Sequence, residues 1–183
     1  MQKPELTIGA SATAPVRILF ICLGNICRSP AAHAVMERMV ADAGLERTVS
    51  VDSAGIGDWH VGQLPDSRMR RHGARRGYAV DHRARQFKDD DFGRFDYIIV
   101  MDDDNYRIIT GRAPSAAGRA KVVRMSSYFP AGCCHTSVPD PYYGGDRDFE
   151  LALDLIELGC RRLLDSLIEK KQTDNHTSYG KNS

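Results

Sequence analysis

The chain has 183 residues, 42% hydrophobic and 27% charged, with a formal net charge of +1. That length suits one domain with a real core, and the near-neutral balance provides no whole-molecule field that would favour nucleic acid. No apolar run approaches the roughly 18 residues that span a bilayer, and the five cysteines lack a disulfide-framework spacing, so they read as reduced thiols of a cytoplasmic protein.

Residues 1–15 have no periodicity and no apolar core segment; they read as a disordered lead-in, not a secretory signal. VRILFIC, at 16–22, is rich in β-formers and predicts a buried strand. A tight bend, CLGNICRSP, follows it. Pro30 suits the first turn of a helix, with Ser29 expected as its cap. Val35, Met36, Met39, Val40 and Ala43 share one helical stripe, ended by Gly44.

TVSVDSAG predicts a second strand, and DSRMRRHGARRG a basic helix closed by Gly77. FDYIIVMD predicts a third strand, followed by a helix through about Arg112, and KVVRM a short fourth strand. A last helix is expected from about Arg147 to Lys170, its apolar stripe made by Ile156, Cys160, Leu163, Leu164 and Leu167. Residues 171–183 read as a disordered polar tail, which leaves one domain over 16–170. The alternation predicts an α/β fold in three layers: a four-stranded parallel sheet flanked by helices on both faces. Ligands of such sheets bind beyond the carboxyl ends of the strands, which is where the bend falls.

A loop between a strand and a helix N-terminus gathers backbone N–H groups and favours an anion, phosphate above all. Gly24 relieves the turn sterically, and Asn25 tolerates left-handed torsions. Arg28 adds a planar fork that matches two phosphoryl oxygens. The same positive surroundings favour a thiolate at Cys22, to which Ser29 can donate. Residues Leu23, Gly24, Asn25, Ile26, Cys27 and Arg28 thus predict a phosphate cradle with a nucleophile at its floor. A nucleotide P-loop is excluded, since its glycine and lysine pattern is absent.

Phosphocysteine chemistry also needs an acid for the leaving group. Asp140, in SVPDPYYGG, is a candidate stiffened by Pro139 and Pro141, although the spacing alone reads equally as a proline-rich surface turn. Trp59, on a loop after the second strand, and Tyr142 and Tyr143 could wall an aromatic substrate; a lone Trp is otherwise a core residue. Ser53, His82 and Asp102 are candidate supports of the loop, with a plain structural role as the alternative. Cys133-Cys134-His135 does not complete a metal ligand set, so no metal site is expected there. Arg68, Arg70, Arg71, Arg75 and Arg76 read as a solvated helix face in preference to a nucleic-acid patch.

The segment CLGNICRSP resembles the signature loop of the low-molecular-weight protein tyrosine phosphatases, and the resemblance extends over roughly residues 16–169. It implies their four-stranded parallel sheet and hydrolysis of phosphotyrosine in proteins through a phosphocysteine, with no metal or organic cofactor. It implies Cys22 as nucleophile, Arg28 as phosphate ligand, Asp140 as acid then base, and an aromatic wall at Trp59. It also implies that Cys27 traps oxidised Cys22 as a disulfide, so that peroxide inactivates reversibly. The partners implied are phosphotyrosine-containing proteins, a tyrosine kinase being one candidate, with no nucleic acid and no membrane, and the chain is expected to be a monomer.

Three alternatives stand beside this reading. Arsenate reduction on the same fold needs relay thiols near the middle of the chain, but residues 60–132 contain no cysteine. Phosphoarginine phosphatases of the family carry Thr where this chain has Ile26. A non-catalytic phosphotyrosine-binding module would not need Cys22, Arg28 and Asp140 together.

Overall fold

The computed structural model describes residues 14–179, with side chains through 170. Of the two terminal segments read as disordered, residues 1–13 and 180–183 lie outside the described residues. Strands β1 (Val16–Cys22), β2 (Val49–Gly55), β3 (Tyr97–Val100) and β4 (Val122–Arg124) form one sheet in the order β2-β1-β3-β4. All pairings are parallel. Helices α1 (Arg28–Asp42), α2 (Ser67–Arg75), α3 (Asp91–Arg94), α4 (Asp103–Arg112), α5 (Ala116–Ala120) and α6 (Asp146–Tyr179) connect and follow the strands, with a 3-10 turn at Met125–Tyr128.

Strand β1 is central, and from Ile18 to Cys22 it is buried on both faces, which is why it reads as an unbroken apolar run. Ile18, Phe20 and Cys22 face one core with Val35 and Met36 of α1 and Phe149, Leu153 and Ile156 of α6. Leu19 and Ile21 face the other, with Phe87, Phe92, Ile98, Val100 and Ile109. The chain leaves β1 toward β2 on one side and reaches β3 on the other. The carboxyl end of β1 is therefore a topological switch point, the natural crevice of an open parallel sheet.

Local signals set most boundaries. Gly44 and Gly77 adopt φ of +66° and +84° just past α1 and α2, torsions that glycine accepts without a Cβ penalty. Asp66 caps α2 by accepting from the Arg68 N–H. Three readings need correction. Ser29 is not a cap: α1 begins at Arg28 after Cys27, with no side-chain cap bond. Ala43 is exposed at the end of α1, outside its buried stripe. Helix α6 runs to Tyr179, nine residues past Lys170, so the polar segment 171–179 is helical. No proline or glycine interrupts the chain between Gly159 and Gly180, and extending an existing helix costs far less than starting one.

Arg70, Arg71 and Arg75 of the basic cluster are exposed, as a solvated face requires, but His72 and Arg76 clasp α6. His72 is buried and stacks on Phe149 with ring centroids 5.7 Å apart. Its Nε2 lies 3.1 Å from Asp146, and its Nδ1 is hydrogen-bonded to Glu150. Arg76 is paired with Glu150, Asp154 and Glu157, and Arg71 with Asp146. Hydrogen bonds from Arg76 and then His72 hold the Glu150 carboxyl below the ordinary carboxylate range. In the window between that depressed value and the ordinary range the unfolded chain binds more protons, so stability rises with pH across it. Glu150→Gln is accordingly expected to lower the melting temperature near neutrality. The gap to the unsubstituted chain should close as the pH falls below the carboxylate range, in melts followed by circular dichroism from about pH 7 to about pH 3. Among the described residues no helix is long and apolar enough to cross a membrane.

Candidate active site

The bend between β1 and α1 encloses the floor of a hollow of about 340 Å³. Cys22, Leu23, Gly24, Ile26, Cys27 and Arg28 line it from the loop, Trp59 and His60 from the segment after β2, and Asp140, Tyr142 and Tyr143 from the segment before α6. Neighbouring chain holds the loop by its carbonyls. Those of Cys22 and Leu23 accept from the N–H groups of Ile56 and Gly57 at 3.0 and 2.9 Å, and that of Ile26 from Asp66 at 2.8 Å. The N–H groups of residues 23–28 have no acceptor among the described residues. They are donors available to a bound anion.

Asn25 is the loop's left-handed residue, with φ of +56°, and it is fully buried. Its Nδ2 donates to Ser29 Oγ at 2.8 Å and to Ser53 Oγ at 3.0 Å, and its Oδ1 accepts from the Arg85 N–H at 3.0 Å. Satisfying every polar group of the side chain offsets the torsional cost of a non-glycine residue there. Gly24 serves differently: a Cβ there would stand 3.0 Å from the His60 ring.

The Ser29 hydroxyl sits 3.0 Å from Cys22 Sγ. Bonds to Asn25 and to the Ala54 carbonyl, the latter at 3.3 Å, also engage it, so it has no part in capping. His82 reaches Ser53 through the backbone, its Nε2 lying 3.2 Å from the Ser53 carbonyl. Burial, and then the neighbouring His33, lower the His82 pKa.

Arg28 is 2% exposed. Its Nη1 donates to Asp102 at 2.6 Å and to the Val138 carbonyl at 3.1 Å, and its Nη2 to Asp140 Oδ2 at 2.9 Å. Its Nε is buried with no partner among the described residues. Burial works against the guanidinium's charge, yet Cys22, Asp140 and Asp102 outweigh it and hold the group above its ordinary value. Asp102 has a second task, capping α4 through Asn105 N–H at 2.7 Å. The Val138 N–H donates to the Met101 carbonyl at 2.9 Å, which pins the Asp140 segment to the end of β3.

The aromatic residues form the rim. Trp59 is 58% exposed, so it is no core residue, and its ring lies over Gly57, where a Cβ would come within 1.8 Å of it. Both tyrosines line the hollow: Tyr142 is the inner one, its carbonyl held by Arg68 at 2.9 Å, and Tyr143 is almost fully exposed. Cys27 is buried beside Cys22; burial, and then the charge of Cys22, push its thiol well above its ordinary pKa, and both sulfurs are free.

Sequence reasoning missed Gly55 and Arg85. A Cβ on Gly55 would lie 2.9 Å from the Gly24 carbonyl carbon and 3.0 Å from Asn25 N. Only a missing side chain lets the loop approach β2 so closely. Arg85 fixes Asn25 through its N–H and bonds Asp52 and Asp91 through its guanidinium. The glycine closing TVSVDSAG was the one available signal for the first, and nothing local marks the second. Gly55→Ala is expected to displace the loop, cost about 1–3 kcal/mol in stability, and weaken vanadate binding. Comparison of melting curves with vanadate titrations checks both effects.

A cysteine at the floor of a strand-to-helix loop with free N–H groups, a buried guanidinium beside it and a carboxylate at the mouth form an arrangement that can carry out cysteine-based phosphoryl transfer. Comparison with known proteins agrees. A family model described as low molecular weight phosphotyrosine protein phosphatase matches residues 17–173. A low molecular weight protein-tyrosine-phosphatase of Streptomyces coelicolor is 43% identical over 155 residues, covering 84% of this chain and 94% of the relative. Among solved structures, a protein tyrosine phosphatase from Entamoeba histolytica superposes with a TM-score of 0.82 at 44% identity, covering 85% of this chain and 99% of that one. A Drosophila arginine phosphatase superposes with a TM-score of 0.75 at 31% identity, covering 82% and 96%. The chain belongs to the low molecular weight phosphotyrosine protein phosphatase family.

Proposed function

We propose that residues 16–170 hydrolyse phosphotyrosine in proteins in two displacements at Cys22. The phosphoryl oxygens are taken by the N–H groups of residues 23–28 and by the Arg28 guanidinium. Cys22 Sγ attacks phosphorus as the P–O bond to the phenol breaks, and Asp140 delivers its proton to the departing oxygen. Asp140 then takes a proton from water, whose oxygen attacks phosphorus and breaks the S–P bond. The Ser29 hydroxyl, 3.0 Å from Sγ, stabilises sulfur as it leaves. Trp59, Tyr142 and Tyr143 hold the phenyl ring. Ser53, His82 and Asp102 support the cradle, and Cys27 is the thiol that would trap an oxidised Cys22. No metal enters these steps, and positioning with charge neutralisation supplies most of the acceleration.

One observation carries this reading. Arg28 is buried on the wall of the hollow that Cys22 floors, anchored by Asp102 and Val138, with Nε unpartnered. A buried, unpaired guanidinium N–H is costly unless an oxyanion completes it.

Ile26 lines the hollow and narrows it against a guanidinium phosphate. A phosphotyrosine peptide is expected to be turned over with a kcat/KM at least about tenfold above that of the matched phosphoarginine peptide, about 1.4 kcal/mol of discrimination. The reverse order, in a phosphate-release assay on both peptides, would reassign the substrate and leave the cysteine mechanism standing.

A further inference from the structure

His33 of α1, Asp52 of β2 and His82, between α2 and α3, converge outside the hollow. One potential ligand atom from each lies within 4.8 Å of the other two. His82 Nε2 is 3.5 Å from Asp52 Oδ1, and the two imidazole rings are tilted by 51° with centroids 4.6 Å apart. Neighbours engage all three: His82 Nε2 lies 3.2 Å from the Ser53 carbonyl, a contact that metal ligation at that nitrogen would replace, and His33 Nδ1 lies 3.4 Å from Ser53 Oγ. Glu37 Oε1 lies 3.1 Å from His33 Nε2. Arg85 donates to Asp52 Oδ2 from Nε and Nη2 at 3.0 and 2.8 Å, while Oδ1 accepts from the Ser53 N–H at 2.7 Å and also faces His82. The His33 side chain is 9% exposed, while those of His82 and Asp52 are 28% and 24% exposed, so the cluster is anchored at one member and open to solvent at two.

We propose that His33, Asp52 and His82 bind one divalent transition-metal ion of the zinc class, with water in the remaining position. Two imidazoles and a carboxylate are a donor set that zinc and its neighbours take, whereas magnesium and calcium require oxygen. The ligands come from three segments that the sheet has already brought together, so little chain ordering is left to the ion. Tetrahedral bonds of about 2.1 Å place ligand atoms about 3.4 Å apart, so the widest pair must close by rotation of the partly exposed His82 or Asp52 side chain. Carboxylates and charged donors that fix ligands from outside are the usual company of such sites. Arg85, a cation in direct contact, is turned to the other oxygen of Asp52. The bound ion would stand behind the cradle: Ser53 bonds Asn25, Asn25 bonds Ser29, and Ser29 contacts Cys22. The proposal does not depend on the phosphatase reading, since none of the three residues lines the hollow.

Calorimetric titration of zinc chloride into the full chain, in a non-chelating neutral buffer, tests it. One saturable site of micromolar or tighter affinity is expected, with none for magnesium chloride. His33→Gln and His82→Gln should each weaken zinc binding at least about tenfold. Cobalt(II) added to the unsubstituted chain should give the visible bands of a four-coordinate nitrogen and oxygen site without thiolate charge-transfer absorption. That measurement needs no variant to fold, and it separates this cluster from Cys22, Cys27 and the Cys133-Cys134 pair. No saturable zinc binding, binding indifferent to either histidine substitution, or a thiolate signature on cobalt would overturn the proposal.

Discussion

Cys22→Ser is expected to lower kcat on para-nitrophenyl phosphate by about 10⁴-fold or more, with a chelator present, while vanadate still binds. The loop supplies backbone donors and a guanidinium, which stabilise an anion but cannot take a proton. The group within hydrogen-bond reach of Sγ is the Ser29 hydroxyl, which is no base. A thiol can shed its proton in such surroundings, whereas an alcohol at the same place cannot. Binding of the tetrahedral oxyanion rests on Arg28 and the amides, which the substitution leaves in place. A serine variant with kcat within tenfold of the parent would end the phosphocysteine mechanism.

Asp140→Ala should reduce kcat by about 10²–10⁴-fold, the ordinary worth of a positioned general acid. The loss should be larger for phenyl phosphate than for the nitrophenyl ester, whose phenolate departs with less need of a proton. Asp140 also accepts from Arg28 Nη2 at 2.9 Å and from Tyr142 N–H at 3.2 Å, so truncation could act through the loop. Asp140→Asn separates the two effects, since its amide oxygen can keep one of those acceptor contacts but it has no proton to give. Comparable losses in both variants, with vanadate affinity near the parent's, identify proton transfer. Recovery of most activity in the Asn variant would assign Asp140 a positioning role.

The cradle was legible because its parts are neighbours in the chain. Nine consecutive residues, CLGNICRSP, carry the proposed nucleophile, the left-handed turn, the guanidinium and the helix start. Ser29 shows the limit of that kind of reading. Its place before Pro30 suggests a cap, yet its hydroxyl is committed to Cys22, Asn25 and Ala54, and Ala54 lies on another strand. The contacts of Arg71, His72 and Arg76 were likewise illegible because their acidic partners sit some 75 positions away, on α6. The end of α6 was misplaced for a different reason: composition turns polar at Lys170, but helix continuity depends on the absence of breakers.

Local torsional preference and apolar periodicity belong to short windows, so the sequence by itself determined the four strands, the main helices and the strand-to-helix loop that carries the proposed nucleophile. Which residues meet across the fold depends on strand order, and that order is a property of the whole packed chain. Only the tertiary structure decided that Asp140 reaches Arg28 across 112 positions, that Gly55 admits the loop against β2, that Arg85 fixes Asn25, and that His33 stands beside His82. The reason is physical: each of these contacts joins segments far apart in the chain that meet only once the sheet and its helices have packed, and no window along the chain contains that information.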